Sequence, residues 1–272
     1  MKKLSLFAAA FSLAAIPFVH AGPYADAVVA YSPGTGSSSG FNNANTAHGM
    51  PSTINPFADA VDPFNSPYGN LQIVSLGAGG SLTVQFLTPI QNNPANPYGL
   101  DFLIFGNTGF VVTNATDVNF NYIGTPATDG STYGHNTGAT RVSVSTDGVM
   151  YYQLNPSLAP VVDGLHPTDG SGNFGRPVNP ALRNAAFAGK DMNGIRSLYA
   201  GSGGGTGFDI AWAQDANSLP VNLASIGFVR VDVVSGKSEI DAFSAVSPVP
   251  EPTTWGLGIL GALIGFVARR KR

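Results

Sequence analysis

Ser81-Leu82-Thr83-Val84-Gln85-Phe86 places an apolar side chain at every second position. Side chains along a β-strand point alternately to opposite faces, so this stretch reads as a strand with one buried and one wet face. Arg141-Val142-Ser143-Val144-Ser145 and Val229-Arg230-Val231-Asp232-Val233 alternate in the same way. Asp147-Gly148 stands between Arg141–Ser145 and the aromatic run Val149–Leu154. An Asp-Gly pair between two strand-like runs predicts a type I′ hairpin, because both residues accept positive φ. Further strands are expected over Ala27–Tyr31, Leu71–Leu76, Leu100–Phe105, Phe208–Ala213 and Ile240–Val246. Between 22 and 248 no run has a sustained helical period, and only Pro180–Ala188 suggests a short helix. Residues 32–67 and 155–207 are rich in Gly, Ser, Asn and Pro and read as long loops, the kind that carry binding surface. Gly201–Gly207 is nearly all glycine and reads as a flexible link. The expected fold is all-β: a β-sandwich over residues 22–248, with no internal repeat.

Composition agrees. Of 272 residues only 11% are charged, while Gly numbers 34 and Pro 20, a mix that suits strands joined by many turns. Six of the 13 basic residues lie at the two ends, which leaves 7 basic against 15 acidic residues between Gly22 and Pro248, a net charge near −8. Nucleic-acid binding through phosphates is therefore not expected. With no cysteine, disulfides, thiolate metal sites and a Cys nucleophile are excluded.

The ends carry address signals. Lys2 and Lys3 precede the apolar run Leu4–Ile16, then Pro17 and Val19-His20-Ala21. This is the layout of a signal peptide, with cleavage by signal peptidase expected after Ala21; the alternative is an uncleaved anchor. At the other end Val249-Pro250-Glu251-Pro252 is followed by the uncharged stretch Thr253–Ala268 and by Arg269-Arg270-Lys271-Arg272. As a helix the apolar stretch would span about 24 Å, short of a hydrocarbon core of about 30 Å. Snorkelling basic side chains extend that reach. The positive-inside rule sets the basic cluster in the cytoplasm and the domain outside. Gly261 and Gly265 fit the G-x-x-x-G spacing of helix dimerisation, a weak signal.

Pro250-Glu251-Pro252, a short hydrophobic segment and a basic terminus, in that order, resemble the PEP-CTERM sorting signal. The resemblance implies an exported protein of a Gram-negative bacterium, tethered in the inner membrane until an exosortase cuts near Pro-Glu-Pro. It then reaches the cell surface or the extracellular matrix. The bland alternative is an ordinary tail anchor. Short fragments between 22 and 248 resemble a second group, exported bacterial surface proteins of unassigned activity. They include Ala30-Tyr31-Ser32-Pro33-Gly34, Val74-Ser75-Leu76-Gly77, Gly80–Phe86, Asp101-Phe102-Leu103-Ile104-Phe105, Val142–Gly148, Phe208-Asp209-Ile210-Ala211 and Glu239-Ile240-Asp241-Ala242-Phe243. That group is similar to galactose-binding-like and discoidin-like modules, which implies a jelly-roll type β-sandwich with long loops. The chain departs from the pattern at Gly106, where the resemblance leads one to expect an acidic residue after the phenylalanine.

Motifs for chemistry are sparse. Gly36-Ser37-Ser38-Ser39-Gly40 fits G-x-S-x-G, but a nucleophile elbow needs a strand running in and a helix leaving, and this stretch reads as a loop. His48, His135 and His166 stand singly in loops without metal-ligand spacing. Asp129-Gly130, Asp163-Gly164 and Asp169-Gly170, with Asn173 after them, read as turns rather than calcium loops. Glu239 is the one glutamate of the domain and opens the last strand; alternation puts Glu239 and Asp241 on one face. The resemblance to galactose-binding-like sandwiches implies a structural Ca²⁺ there, held by Glu239 with Asp241 or Asp26. The alternative is an edge strand carrying charge against aggregation. Tyr98, Tyr122, Tyr133, Tyr151, Tyr152 and Trp212 are available to stack on sugars. With no acid–base pair or nucleophile in view, the expectation is a non-catalytic surface protein that binds polysaccharide. The alternative is a secreted hydrolase acting on glycan or ester.

Overall fold

The structure, a computed structural model, describes residues 22–119 and 121–247. The expected signal peptide (1–21) and the sorting tail (249–272), with Pro250, Glu251, Pro252 and the basic terminus Arg269, Arg270, Lys271 and Arg272, lie outside the described residues. Among the described residues no helix is long and apolar enough to cross a membrane.

In chain order the strands are β1 (Ala27–Ser32), β2 (Val74–Gly77), β3 (Ser81–Gln91), β4 (Phe102–Gly106), β5 (Gly109–Val112), β6 (Ala127–Tyr133), β7 (Thr140–Ser145), β8 (Tyr152–Leu154), β9 (Lys190–Asp191), β10 (Thr206–Phe208), β11 (Ala213–Gln214), β12 (Ser225–Val233) and β13 (Lys237–Ala245). Two short helices are α1 (Asn184–Phe187) and α2 (Met192–Tyr199). One antiparallel sheet has the order β1-β3-β12-β7-β8-β11, a second β10-β4-β13-β2, and a small third β5-β6-β9.

The three alternating stretches of the sequence are adjacent strands. Val229 of β12 lies opposite Val84 of β3 and Val144 of β7, and Val231 lies opposite Leu82 and Val142. These rows face one core with Val74 and Leu76 of β2, Phe102 and Ile104 of β4, Phe208 of β10, and Ile240 and Phe243 of β13. The two larger sheets thus form a sandwich around a shared apolar layer. Full burial of each such side chain stabilises it by roughly 1.5–3 kcal/mol. Phe102 and Phe208 stack across neighbouring strands at 5.3 Å. The continuous apolar run of β4 is buried on both sides: Leu103 and Phe105 turn away from the sandwich core toward Phe174, Val246 and Tyr24.

The long segment 155–205 folds over that outer face. It brings Phe174 edge-on to Phe105 at 5.4 Å and builds a second small core from Phe110, Val178, Phe187, Ile195 and Tyr199. Here the structure corrects three sequence readings. Gly203, Gly204 and Gly205 are buried, not a flexible link; a Cβ on Gly204, which has φ +85°, would stand 2.2 Å from the Pro167 carbonyl. The run expected as a strand over Phe208–Ala213 breaks at Asp209, whose carboxylate accepts from Ala211 N–H and starts a 3₁₀ turn. Asp147-Gly148 is not a two-residue type I′ turn. Only Gly148 has positive φ, and Asp147 Oδ1 accepts from Val149 and Met150 N–H to hold a longer connection.

Both ends of the described chain meet at one end of the sandwich, where Ala245 N–H donates to the Pro23 carbonyl at 2.6 Å. Lys237, at the start of β13, is eight residues away along an extended strand, or about 27 Å. The described chain therefore ends at the opposite end of β13 from Lys237 and Glu239.

Candidate functional site

At the end of β4 the chain reads Gly106-Asn107-Thr108, and Gly106 pairs with Ile240 of β13. Position 106 has no side chain, and the carboxyl of Asp163 fills the space. A Cβ on Gly106 would stand 2.2 Å from Asp163 Oδ1 and 2.6 Å from the Glu239 carbonyl. The acidic group that the resemblance leads one to expect at 106 is supplied by a loop residue instead.

Asp163 is buried with φ +57°. Its Oδ1 lies 3.0 Å from Thr108 N–H and 2.7 Å from Thr108 Oγ1, and Oδ2 faces Glu239 N–H at 3.3 Å. Thr108 Oγ1 is also 2.9 Å from the Asp163 carbonyl. One hydroxyl proton cannot serve both oxygens. Both contacts are satisfied when Asp163 carries a proton, donating to Thr108 Oγ1, which donates on to the carbonyl. The electrostatics agree: burial pushes the Asp163 pKa up to about 8, the Thr108 hydrogen bonds pull it back, and the Glu239 charge adds to the rise.

Glu239 sits beside it with its charge engaged. Oε1 accepts from Ser38 Oγ at 2.6 Å and lies 3.0 Å from Lys237 Nζ, which also donates to Ser38 Oγ at 2.8 Å. Oε2 accepts from Asn107 Nδ2. That leaves Asn107 Oδ1 as the single buried side-chain oxygen or nitrogen without a partner among the described residues. A Cβ on Gly134 would stand 2.9 Å from it. Gly134, Gly36 and Gly236 wall an open cleft of about 480 Å³, lined also by Thr35, His135, Thr137, Lys237 and Glu239. Of the three, Gly36 has open space where a Cβ would stand, whereas Gly134 and Gly236 pack closely on Asn107 and Asn136.

The three carboxylates expected to hold calcium do not converge. Pairing slips between Ile240 and Ala242, and Asp241 turns both oxygens to Ser52, accepting from its N–H and Oγ at 2.8 Å each. Burial pushes the Asp241 pKa up to about 7. Asp26 Oδ2 accepts from Leu87 N–H at 2.7 Å. Among the described residues no three acidic or histidine side chains form a metal-ligand group. Calcium needs six to eight oxygens at one point, so Glu239, Asp241 and Asp26 do not fit that ion as a set. A lysine, Lys237, is the cation that faces Glu239.

The other candidates are placed as follows. Ser38 is in a loop between β1 and β2, without the strand-to-helix geometry of a nucleophile elbow. His48 is exposed and His135 lines the cleft. His166 is buried against Phe187 and Tyr199, with Nε2–H donating to the Leu182 carbonyl at 3.1 Å, and burial lowers its pKa to about 4. Asp169 is held by Arg196 through two hydrogen bonds, of 2.7 and 3.1 Å. Asp129 and Asn173 accept from backbone N–H two residues on, as turn residues do. Tyr98, Tyr122 and Tyr133 are exposed, whereas Tyr152 and Trp212 pack on the core and Tyr151 is half-buried. Sequence reasoning missed the exposed pair Phe57 and Tyr68, which carry no periodicity because they sit in a proline-rich loop. It also missed Asn107, whose role appears only once Gly134 and Glu239 are neighbours.

Comparison with known proteins bears on the end of the chain. No curated protein matches it. A family model for the PEP-CTERM protein-sorting motif matches residues 248–272. With that motif at its C-terminus, the chain is an exported protein of the exosortase-sorted kind, anchored in the membrane before processing.

Proposed function

We propose that the domain is a non-catalytic surface module that binds polysaccharide in the cleft beside Glu239, at the opposite end of β13 from the end of the described chain. The observation that carries this reading is the open cleft of about 480 Å³, whose lining is mostly glycine, hydroxyl and imidazole groups beside one Lys–Glu pair. Thr35, Thr137 and His135 add hydroxyl and imidazole groups, and the Lys237–Glu239 pair offers donors and acceptors with little net charge. Such a set suits a polyhydroxylated chain better than an anionic one, as does the acidic domain around it.

One observation favours the second reading, hydrolysis: Ser38 Oγ lies between Lys237 Nζ and Glu239 Oε1. The direction of the hydrogen bonds weakens it. The ammonium donates to the Ser38 oxygen and draws electron density from it, and Glu239 is already engaged by Lys237 and Asn107. A glycosidase would need two carboxylates across the cleft; its lining contains one, Glu239.

The test is retention of the exported protein on a panel of immobilised polysaccharides. Binding should be weakened by His135→Ala and Thr137→Ala without change in the unfolding midpoint. Equal retention of both variants would remove the cleft from the account. Labelling of Ser38 by a fluorophosphonate probe would put the hydrolase reading in its place.

A further inference from the structure

The segment between Ala47 and β2 exposes several large apolar side chains. Phe57 is 75% exposed, Tyr68 38%, and Leu71 81%. Two large rings exposed side by side form an apolar patch, and such patches mark contact surfaces. The two rings lie 6.0 Å apart, centroid to centroid, and are inclined by 43°. They are held in place from below. Asn55 Oδ1 accepts from Phe57 N–H at 2.9 Å and from Asp59 N–H at 3.0 Å. Gln72 Oε1 accepts from Gly69 N–H at 2.9 Å, and its amide donates to the Ile54 carbonyl. Gly69 lets the two arms of the loop close, since a Cβ there would stand 2.6 Å from Pro56 Cγ. Ala58, next to Phe57, has φ +67°, a conformation that costs a non-glycine residue about 1 kcal/mol or more. A strained, hydrogen-bonded scaffold presents two aromatic faces to water.

We propose that Phe57 and Tyr68 form a stacking platform for two successive rings of a neutral polysaccharide. This inference rests on the polysaccharide reading above and adds a second contact region to it. A pyranose ring has an apolar face of C–H groups and an equator of hydroxyls. The platform matches both parts. Its rings, 6.0 Å apart and inclined by 43°, offer apolar surface to the C–H faces. Beside them Asp59 and Asn70 are exposed, and neither side chain makes a hydrogen bond within the described residues, so both are free for hydroxyls. Charge selects the class. With 7 basic against 15 acidic residues between Gly22 and Pro248, and with Asp59 at the platform itself, anionic polymers and anionic lipid surfaces are repelled.

The exported protein would be run by affinity electrophoresis in gels holding dextran, a neutral galactan or anionic alginate. One of the neutral polymers should retard it, and alginate should not. Phe57→Ala and Tyr68→Ala should each raise the apparent Kd about tenfold, the loss expected when one stacked ring is removed. Phe57→Trp should stay within about twofold of wild type, because the face is kept. Unfolding midpoints of the two Phe57 variants should match wild type, since that ring is 75% exposed; Tyr68→Ala also loses packing, so its binding is read where the variant is fully folded. If a neutral polymer retards wild type and the alanine variants equally, the platform is refuted while the cleft reading survives. If no polymer retards wild type, both fall. If vesicles of phosphatidylglycerol and phosphatidylethanolamine, or self-association in sedimentation, respond to Phe57→Ala and the polymers do not, the patch is a lipid or self-contact surface and the proposal is overturned.

Discussion

Asp163→Asn should remove a pH dependence that the wild-type domain shows between pH 6.5 and 8. Asp163 is fully enclosed, faces no cation, and has its pKa pushed by burial from 3.8 to about 8. In the unfolded chain it titrates near its ordinary value. Between those two values the folded state holds a proton that the unfolded state has lost. Its stabilising contribution is therefore complete below the unfolded pKa and is lost as pH rises through the folded one. The slope approaches about 1.4 kcal/mol per pH unit and flattens near pH 8, so the loss from pH 6.5 to 8 is on the order of 1–2 kcal/mol. The window matters because of other buried groups. His166, lowered to about 4, works in the opposite direction below its ordinary value of 6.5. Asp101, raised to about 6, has lost most of its contribution by then, and Asp241, raised to about 7, adds to the fall over the first part of the window. The wild-type-minus-variant difference cancels all three. The asparagine keeps an acceptor for Thr108 N–H but sets its amide N–H₂ against Glu239 N–H, donor to donor, so the variant should fold with a pH-independent loss of stability, and only the pH dependence of the difference is read. Urea unfolding of both proteins at pH 6.5, 7.2 and 8.0 measures the effect. The variant should gain on wild type as pH rises. Parallel pH profiles would refute the protonated, buried Asp163.

Gly204→Ala should destabilise the domain by about 3 kcal/mol or more, from positive φ and backbone overlap together, seen as a lowered denaturation midpoint; Gly201→Ala, with nothing within 4 Å of its Cβ, should cost less. Asp191→Ala should cost about 1 kcal/mol by removing the cap that Gly194 N–H donates to at 2.8 Å, read from the same transition. Addition of a calcium chelator should leave the melting midpoint in place, because Glu239, Asp241 and Asp26 have separate partners; a downward shift would show a ligand set assembled otherwise. Replacing Pro250-Glu251-Pro252 with alanines should leave export intact and stop removal of the tail, seen as a full-size, membrane-retained product; normal processing would contradict the sorting role.

The strands were legible where one face is wet and one dry. Ser81–Phe86, Arg141–Ser145 and Val229–Val233 carry their period in the sequence and lie side by side in one sheet. α2 was missed because it is eight residues long and holds Gly194, although Asp191 followed by Ile195 and Tyr199 was a cap and an apolar face in plain sight. The glycines at 203–205 misled because composition does not distinguish a glycine needed for freedom from one needed for close approach. At the site, Glu239 was found as a lone glutamate at a strand onset. Asp163 and Asn107 were not tied to it, since their roles depend on Gly106 and Gly134 lacking side chains across long chain separations. Asp26 and Asp241 looked like its partners from strand order alone, and the slip after Ile240 and the Ser52 loop separated them.

Hydrogen exchange of the exported protein, with and without the polysaccharide that retains it, tests the central claim most directly. Amide protection reports which backbone segments a ligand covers or stiffens. The account predicts slowed exchange in residues 34–38, 134–138 and 235–239 around the Glu239 cleft, and in 55–59 and 68–72 under the ring pair. The end of the sandwich where Pro23 and Ala245 meet should be unchanged. Protection confined to that end, or spread over the β3–β12–β7 face with the cleft segments unaffected, would contradict it.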